Sequence, residues 1–594
     1  MSPEDLLSRA EAWRRADPDP ATAAELAELI ARRAEAELAE RFGGRLEFGT
    51  AGLRGILGAG PNRMNRAVVR QTSAGLARYL LSQSPDVLRR GVVVARDARR
   101  LSRELAEDAA GVFASQGIPV HWFCDPVPTP LAAFAVLDRS AAAGVVVTAS
   151  HNPPEYNGYK VYWGNGAQIT TPHDAGIAAA IAGTGPASGI QVLDEATARG
   201  RGLWRDLGEE VGRRYLDRVL GLRRHPGAGL DLRIVYSAMH GVGGAWVTRV
   251  LEEAGFCSVW PVAEQQQPDG AFPTVRFPNP EEPGALDLAF RLAEETRADL
   301  LLANDPDADR LAVAARGRNG RLRPLTGDEV GVLLGHWVLT ETRPLPPRPL
   351  VMSTIVSSAQ LGRIAGDLGV EHVETLTGFR WLCNRALELE RERGLTLLFA
   401  YEEALGYTLG DVVRDKDGIG AALAFADLAG FCHSQGRGVL DQLERIQRRH
   451  GLYLSAQRSF RFTGSSGAAT IAGVMEGLRR DPPRRVGGIE VTQVKDYLQG
   501  LARGKGGERP LGLPSADVVG FELAAGSRIT ARPSGTEPKI KYYFERVEQV
   551  GAGEDIQSAR DRGERRLQET VARFLDLARE RGVGLRDGGK PVCC

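Results

Sequence analysis

The stretch that decides the fold is "GVVVTASHNPPEYNGYKVYWGNGAQI", Gly144–Ile169. Its run of valines reads as a buried strand of the kind found in parallel sheets. That strand runs directly into Ser-His-Asn-Pro-Pro. In open α/β sheets, sites form beyond the carboxyl ends of strands, which is where Ser150 stands. Pro153 and Pro154 remove two backbone donors and fix local dihedrals, so the loop is stiff. A hydroxyl on a stiff loop suits covalent catalysis, although a lone serine leaving a strand is more often an ordinary polar turn. The Gly-x-Ser-x-Gly elbow of hydrolases is absent around Ser150, which argues against acyl chemistry.

Working outward, a βα rhythm surrounds this segment. "GVVVA" (Gly91–Ala95) and "VHWFC" (Val120–Cys124) read as further strands. "LSRELAEDAAGVFASQG" reads as a helix with Ser102 as its N-cap and Gly117 as its stop. The rhythm restarts at "LRIVYSAMHGVGGAWVTRVLEEAG" and again at "PLVMSTIVSSAQLGRIAGDLG". Such alternation predicts three α/β units with mixed, mostly parallel sheets. Beyond about Ser455, paired strands and a closing helix predict a smaller α+β domain. The expected domains are 1–204, 205–322, 323–450 and 451–594. Residues up to about 40 read as helices interrupted by "DPDP".

Bulk properties restrict the function classes. At 594 residues the chain needs several cores. Lys+Arg and Asp+Glu are both 75, so no global field favours nucleic acid or an anionic membrane. Six cysteines without metal-ligand spacing fit a reducing compartment. The terminal Cys593-Cys594 pair reads as an exposed tail. Neither a signal-peptide core nor a membrane-length apolar run is visible, so the expected location is cytoplasmic.

Three more loops carry chemistry. In "ANDPDADRLAV", Asp305, Asp307 and Asp309 fall on one side of an extended segment, offering hard oxygen ligands suited to Mg²⁺. A calcium EF-hand loop starting at Asp305 would need glycine and glutamate where Arg310 and Arg316 stand. The Asp-x-Asp-x-Thr pattern of aspartyl-phosphate phosphatases is also missing. In "LLFAYEEALGYTLGDVVRDKDGIGAAL", Glu402 and Glu403 close a strand-like run, and paired carboxylates suit sugar hydroxyls. In "RITARPSGTEPKIKYYF", Arg532, Ser534, Gly535, Thr536 and Lys541 form a phosphate cradle. Arg54 adds a cation within the Gly-rich "EFGTAGLRGILGAGPNRMN". "HGVGGAW" lacks the third glycine of a dinucleotide fingerprint, which argues against NAD or FAD.

Taken in order, "GTAGLRG", "TASHNPPEYNGYK", "NDPDADR", "TLTGFRW", "EEALGY", "DKDGIGAA" and "RPSGTEPKIK" resemble the α-D-phosphohexomutase superfamily, the phosphoglucomutase/phosphomannomutase enzymes. The likeness is to its long phosphoglucomutase/phosphopentomutase-type branch. It implies four domains around a central cleft, the last one mobile. It implies that Ser150 carries a transferable phosphoryl group and that Asp305, Asp307, Asp309 and a phosphoserine oxygen ligate Mg²⁺. Arg54, His151, Lys160 and Arg310 join Ser150 in the implied catalytic set, with Lys160 a proton-transfer group. Thr377, Gly378, Arg380, Glu402, Glu403, Lys416, Arg532, Ser534, Gly535, Thr536 and Lys541 are the implied substrate-binding residues.

Three positions depart from the family's usual residues: Tyr401, Ala404, and Arg380 in place of Lys. Arg and Lys are not equivalent at a recognition site, so these departures bear on the sugar and not on the reaction. The expected activity is interconversion of glucose 1-phosphate and glucose 6-phosphate, with glucose 1,6-bisphosphate as intermediate and activator. The alternatives are the same chemistry on mannose or pentose phosphates, bisphosphate synthesis, a sugar phosphatase, or a non-catalytic sensor. The expected assembly is a monomer or homodimer without nucleic-acid or membrane partners.

Overall fold

The computed structural model describes residues 2–462, 467–534, 539–581 and 592–593. Two compact units emerge. The first comprises residues 1–330, 340–349 and 379–439, and the second 331–339, 350–378 and 440–594.

In the first unit, Val92–Arg96 is the hub of a six-stranded sheet. It runs parallel to both Ala143–Val147 and Val120–Trp122, and Trp204–Asp206 continues the parallel run. Tyr156–Trp163 pairs antiparallel with Ala143–Val147, and Leu53–Ile56 closes that edge. Val92–Arg96 and Ala143–Val147 are buried at every residue, which explains why they read as continuous apolar runs. The last two strands approach closely. A Cβ at Gly158 would lie 2.5 Å from the carbonyl oxygen of Thr148 and 2.8 Å from that of Leu53.

A second, five-stranded sheet is built around Arg233–Ser237, parallel to Ser258–Pro261 and to Leu300–Ala303. Ala312–Arg316 then returns antiparallel to Leu300–Ala303, so the aspartate loop is the connection between two core strands. The hairpin Thr396–Glu402/Gly406–Leu409 also belongs to this unit. Its N-terminal helices, Pro3–Ala16, Pro20–Ala31 and Glu35–Phe42, share their own apolar core of Leu6, Leu26, Leu29, Leu38 and Phe42.

The second unit contains the parallel pairing of Leu350–Thr354 with Glu371–Thr375, and an antiparallel sheet covered by helices Gly467–Arg480 and Ile556–Arg581. The α/β plan and the antiparallel C-terminal texture expected from sequence are both present. No helix among the described residues is long and apolar enough to cross a membrane.

Three local expectations are corrected. Ser102 is the first helical residue and not the cap. The cap position is Leu101, in the left-handed region at φ 61°, and the Ser102 hydroxyl instead donates to Asp97 at 2.6 Å. The aspartate segment is a turn and not an extended run, because Ala308 adopts φ 56°. Finally, Val592–Cys593 is not a free tail, since its backbone pairs antiparallel with Phe460–Arg461.

Candidate active site

Ser150 leaves the sheet in the left-handed region at φ 53° and is only 3% exposed. For a residue with a Cβ this conformation costs about 1–2 kcal/mol, so the surroundings must enforce it. Its amide donates to the Thr148 hydroxyl at 2.9 Å. Its own hydroxyl donates to Oδ2 of Asp305 at 2.8 Å and lies 3.1 Å from Nδ1 of His151. The serine and the aspartate loop, 155 residues apart in sequence, therefore meet through their functional atoms.

The turn at Ala308 brings one oxygen from each of Asp305, Asp307 and Asp309 within 4.8 Å of the others, all three side chains being buried. Lys160 Nζ donates to Oδ2 of Asp307 at 2.7 Å and of Asp309 at 2.9 Å. Lys416 Nζ stands 3.3 Å from both Asp309 and Asp415. These cations do not serve the three acids equally. Burial, with Asp307 and Asp309 alongside, pushes Asp305 well above the carboxylate range. Against burial, Lys160 holds Asp307 low, and Lys160 and Lys416 together hold Asp309 low. Oδ1 of Asp307 and Oδ1 of Asp309 are buried without a hydrogen-bond partner. Orphaned carboxylate oxygens beside a raised third carboxyl fit a hard divalent cation, which supplies the missing charge and the missing partners.

The cationic residues converge on the same place. Arg54 Nη1 donates to Oδ1 of Asn152 in the serine loop at 2.9 Å. Arg310 lies 4.0 Å from Asp309 and 3.7 Å from Glu281. Burial, reinforced by Arg310 and Arg54, pushes the His151 imidazole well below its usual range. Although burial opposes it, Asp307 and Asp309 raise Lys160, so its ammonium form is favoured.

Glu402 ends its strand and is 6% exposed, with Glu403 half-buried after it. Their loop is tied to the aspartate turn. The Leu311 amide donates to the Leu405 carbonyl at 3.0 Å, and the Arg310 backbone bridges to that of Gly406. Lys416 packs over the Phe379 ring at 5.4 Å, and Arg380 lies over Trp381 at 5.9 Å at the start of helix Phe379–Arg393.

The other expected substrate residues belong to the second unit. Arg532 and Lys541 are register partners on neighbouring strands, and the Ser534 amide donates to the Lys539 carbonyl at 2.7 Å. Thr377 precedes Gly378, whose φ is 113°. Gly535 and Thr536 lie outside the described residues.

Several supporting residues escape a reading of the sequence. The Thr129 hydroxyl donates to Oδ2 of Asp307 at 2.7 Å. Tyr162 and Gln168 donate to Oδ2 of Asp415 at 2.6 and 2.8 Å, which orients the carboxylate facing Lys416. Arg99 holds the serine loop from below. Proline-flanked Thr129 and the acid preceding Lys416 are visible signals, but their meaning depends on neighbours far along the chain.

Comparison with known proteins identifies the family. Residues 45–186, 213–319 and 326–448 match, in turn, the models for phosphoglucomutase/phosphomannomutase alpha/beta/alpha domains I, II and III. A phosphopentomutase of Homo sapiens is 39% identical over 556 residues, covering 90% of each chain. A glucose 1,6-bisphosphate synthase of Homo sapiens is 35% identical over 567 residues, covering 90% of this chain and 88% of that protein. The crystal structure of a phosphoglucomutase/phosphomannomutase family protein from Burkholderia thailandensis shares the fold, with a TM-score of 0.63 at 21% identity. The match covers 91% of this chain and 97% of that one.

Proposed function

Because the chain belongs to the phosphoglucomutase/phosphomannomutase family, we propose that it is a phosphosugar mutase working through phosphorylated Ser150. The observation that carries this reading is the 2.8 Å contact between the Ser150 hydroxyl and an aspartate cluster with two orphaned oxygens.

In the forward step, the bond from phosphorus to Ser150 Oγ breaks as a bond to a free sugar hydroxyl forms, and that hydroxyl's proton ends on the departing Oγ. The resulting bisphosphate turns over and returns its other phosphate to Ser150. Asp305, Asp307 and Asp309 would hold Mg²⁺. When bound, the ion neutralises charge on the transferring group. The chain's own residues do the rest. Arg54 and Arg310 face the anionic group, and Lys160 and Lys416 fix the orientation of Asp307 and Asp309. His151 Nδ1, 3.1 Å from Oγ on a ring kept neutral, can accept a proton at the serine. Lys160, the proton-transfer group expected from the resemblance, serves here as a charge partner of two carboxylates. Glu402 and Glu403 would accept from sugar hydroxyls, and Arg532, Ser534 and Lys541 would grip the phosphate that stays in place.

The substrate assigned from the motifs is the glucose 1-phosphate/glucose 6-phosphate pair, with glucose 1,6-bisphosphate as intermediate and activator. A second reading, the 1- and 5-phosphates of a pentose, is favoured by the relative named phosphopentomutase. The test is a panel assay with Mg²⁺ and trace glucose 1,6-bisphosphate on glucose, mannose and ribose phosphates, with Ser150→Ala alongside. Mutase turnover lost in the variant supports the mechanism, and the ratio of rates assigns the sugar. Net phosphate release without isomerisation would make the protein a phosphatase. Full turnover by Ser150→Ala would overturn the phosphoserine reading.

A further inference from the structure

The Ser150 loop is held from beneath by one side chain. Arg99, 4% exposed, sends Nη2 to the carbonyl oxygens of Ser150 and Asn152, each at 2.6 Å. Its Nη1 reaches the carbonyl oxygens of Pro153 at 2.9 Å and Tyr156 at 3.3 Å. Four carbonyl dipoles thus converge on one guanidinium. Without a cation between them these partial negative charges would repel one another, and each carbonyl would lose a charged donor. The fork geometry matters, since five donors fixed in one plane can serve four acceptors at once, more than the three donors of an ammonium can.

Arg99 is itself held on two sides. The Asp97 carboxylate stands 3.3 Å from Nε, and the Phe272 ring lies 4.8 Å from the guanidinium carbon. Phe272 belongs to the segment "PDGAFPTVRFPNPEEP", residues 268–283, which also packs against Arg99 at Gly270 and carries Glu281 to within 3.7 Å of Arg310. One irregular segment of the second sheet's domain therefore touches both the support of the serine loop and a cation of the aspartate loop.

We propose that Arg99, backed by Phe272, is a positioning residue that holds Ser150 Oγ in line for phosphoryl transfer. This rests on the phosphoserine reading above. The Oγ partners are Asp305 and His151, whereas Arg99 bonds to the loop backbone and acts through it. Displacing a reacting atom by about 1 Å costs about 10²-fold in rate, while binding of the sugar phosphate by other loops is untouched. The expected signature is a loss in kcat at constant KM.

The experiment compares wild type, Arg99→Lys and Phe272→Leu, each phosphorylated and scored for phosphoserine at position 150 by mass spectrometry. Single-turnover transfer to glucose 1-phosphate and to ribose 1-phosphate is then followed by quenched flow, with thermal melting in parallel. Arg99→Lys should transfer about 10²-fold more slowly per phosphorylated molecule, with sugar KM within about twofold of wild type. Phe272→Leu keeps an apolar filler but removes the ring face, and should slow transfer by a smaller factor. Transfer in Arg99→Lys within about twofold of wild type overturns the proposal, as does a rise in KM that accounts for the whole loss. If Arg99→Lys fails to fold, unchanged transfer in folded Phe272→Leu overturns it instead. Wild-type protein that turns over without phosphate on Ser150 would defeat the phosphoserine reading itself, a result separable from the others.

Discussion

Thr129 grips Asp307 twice: its hydroxyl donates to Oδ2 at 2.7 Å and its amide to the main-chain carbonyl at 3.0 Å. The first turn of helix Thr129–Asp138 thereby fixes both the rotamer and the backbone of one candidate ligand. Partners that orient a ligand typically change metal affinity by about 10–100-fold when removed. Thr129→Val keeps the shape and loses the hydroxyl. The Mg²⁺ concentration for half-maximal activity should rise about tenfold, with kcat at saturating metal largely retained. An unchanged Mg²⁺ requirement would count against Asp307 as a ligand.

Metal should also act on stability. Two orphaned oxygens and three crowded carboxylates are unfavourable until a cation arrives. Mg²⁺ at about 100 times its Kd should add about 2.7 kcal/mol and raise the first unit's melting temperature by several degrees. Chelation should reverse the shift. Asp309→Asn, which takes a charge partner from the buried Lys160 and Lys416, should melt lower than wild type in chelator and gain less from Mg²⁺.

A small substitution should disturb the site from behind. A Cβ on Gly418 would stand 2.4 Å from the Arg310 carbonyl oxygen and 2.8 Å from that of Ala308. Neither backbone atom can yield without moving the aspartate turn. Gly418→Ala should cost about 1–3 kcal/mol in thermal or urea unfolding and weaken Mg²⁺ activation as well.

Much of this centre is legible in the sequence, for a physical reason. Ser150, the aspartates and Glu402 occupy strand ends, and strand ends betray themselves by an apolar run stopping at a polar residue. Arg99, Thr129 and Asp415 carry no such local mark. Thr129 meets its partner across 178 residues, and Arg99 makes backbone contacts that any loop could in principle offer. Alternation at positions 305, 307 and 309 points to one face of an extended segment. Left-handed Ala308 converges the same three carboxylates by bending instead, so the right residues follow from the wrong backbone. Ser102 reads as a cap from sequence, but Asp97 competes for its hydroxyl, a contact set by the loop between them.

The second unit should respond to acid. Arg528 donates to Glu374 at 2.8 Å and to Glu545 at 3.0 Å, and also contacts the Ser357 carbonyl. Although burial opposes it, Arg528 and then His372 hold the Glu374 carboxyl below its usual range. A depressed carboxyl stabilises the fold fully above its unfolded value of about 4.3, and that contribution disappears as pH falls through the lower folded value. About a quarter of the Glu374 side chain is exposed, so Glu374→Gln should cost only about 1–2 kcal/mol at neutral pH. Melting temperatures of the variant and wild type should draw together as pH falls below about 4. A gap of the same size at about pH 7 and about pH 3 would contradict the ion pair.

The N-terminal helices should be tied to the loop that follows Arg54. Glu25 accepts from Arg41 at 2.6 Å and from the Ala59 amide at 2.9 Å, while Arg41 reaches the Ala59 carbonyl at 3.1 Å. Glu25→Ala leaves a largely buried guanidinium short of a partner. It should cost about 1–3 kcal/mol, read as faster release of residues 1–42 under limited proteolysis.

The first unit is stitched from three separate stretches, the last ending at residue 439. During translation the three aspartates emerge well before Lys416, and the chain grows at roughly 5–20 residues per second. A nascent chain therefore carries the acidic turn for seconds before its second lysine exists. Completion of the catalytic centre is a late event in biosynthesis. No amino-terminal fragment ending at the second sheet can stand in for the enzyme, and a ribosome stalled before codon 416 displays an aspartate cluster that still lacks one of its lysines.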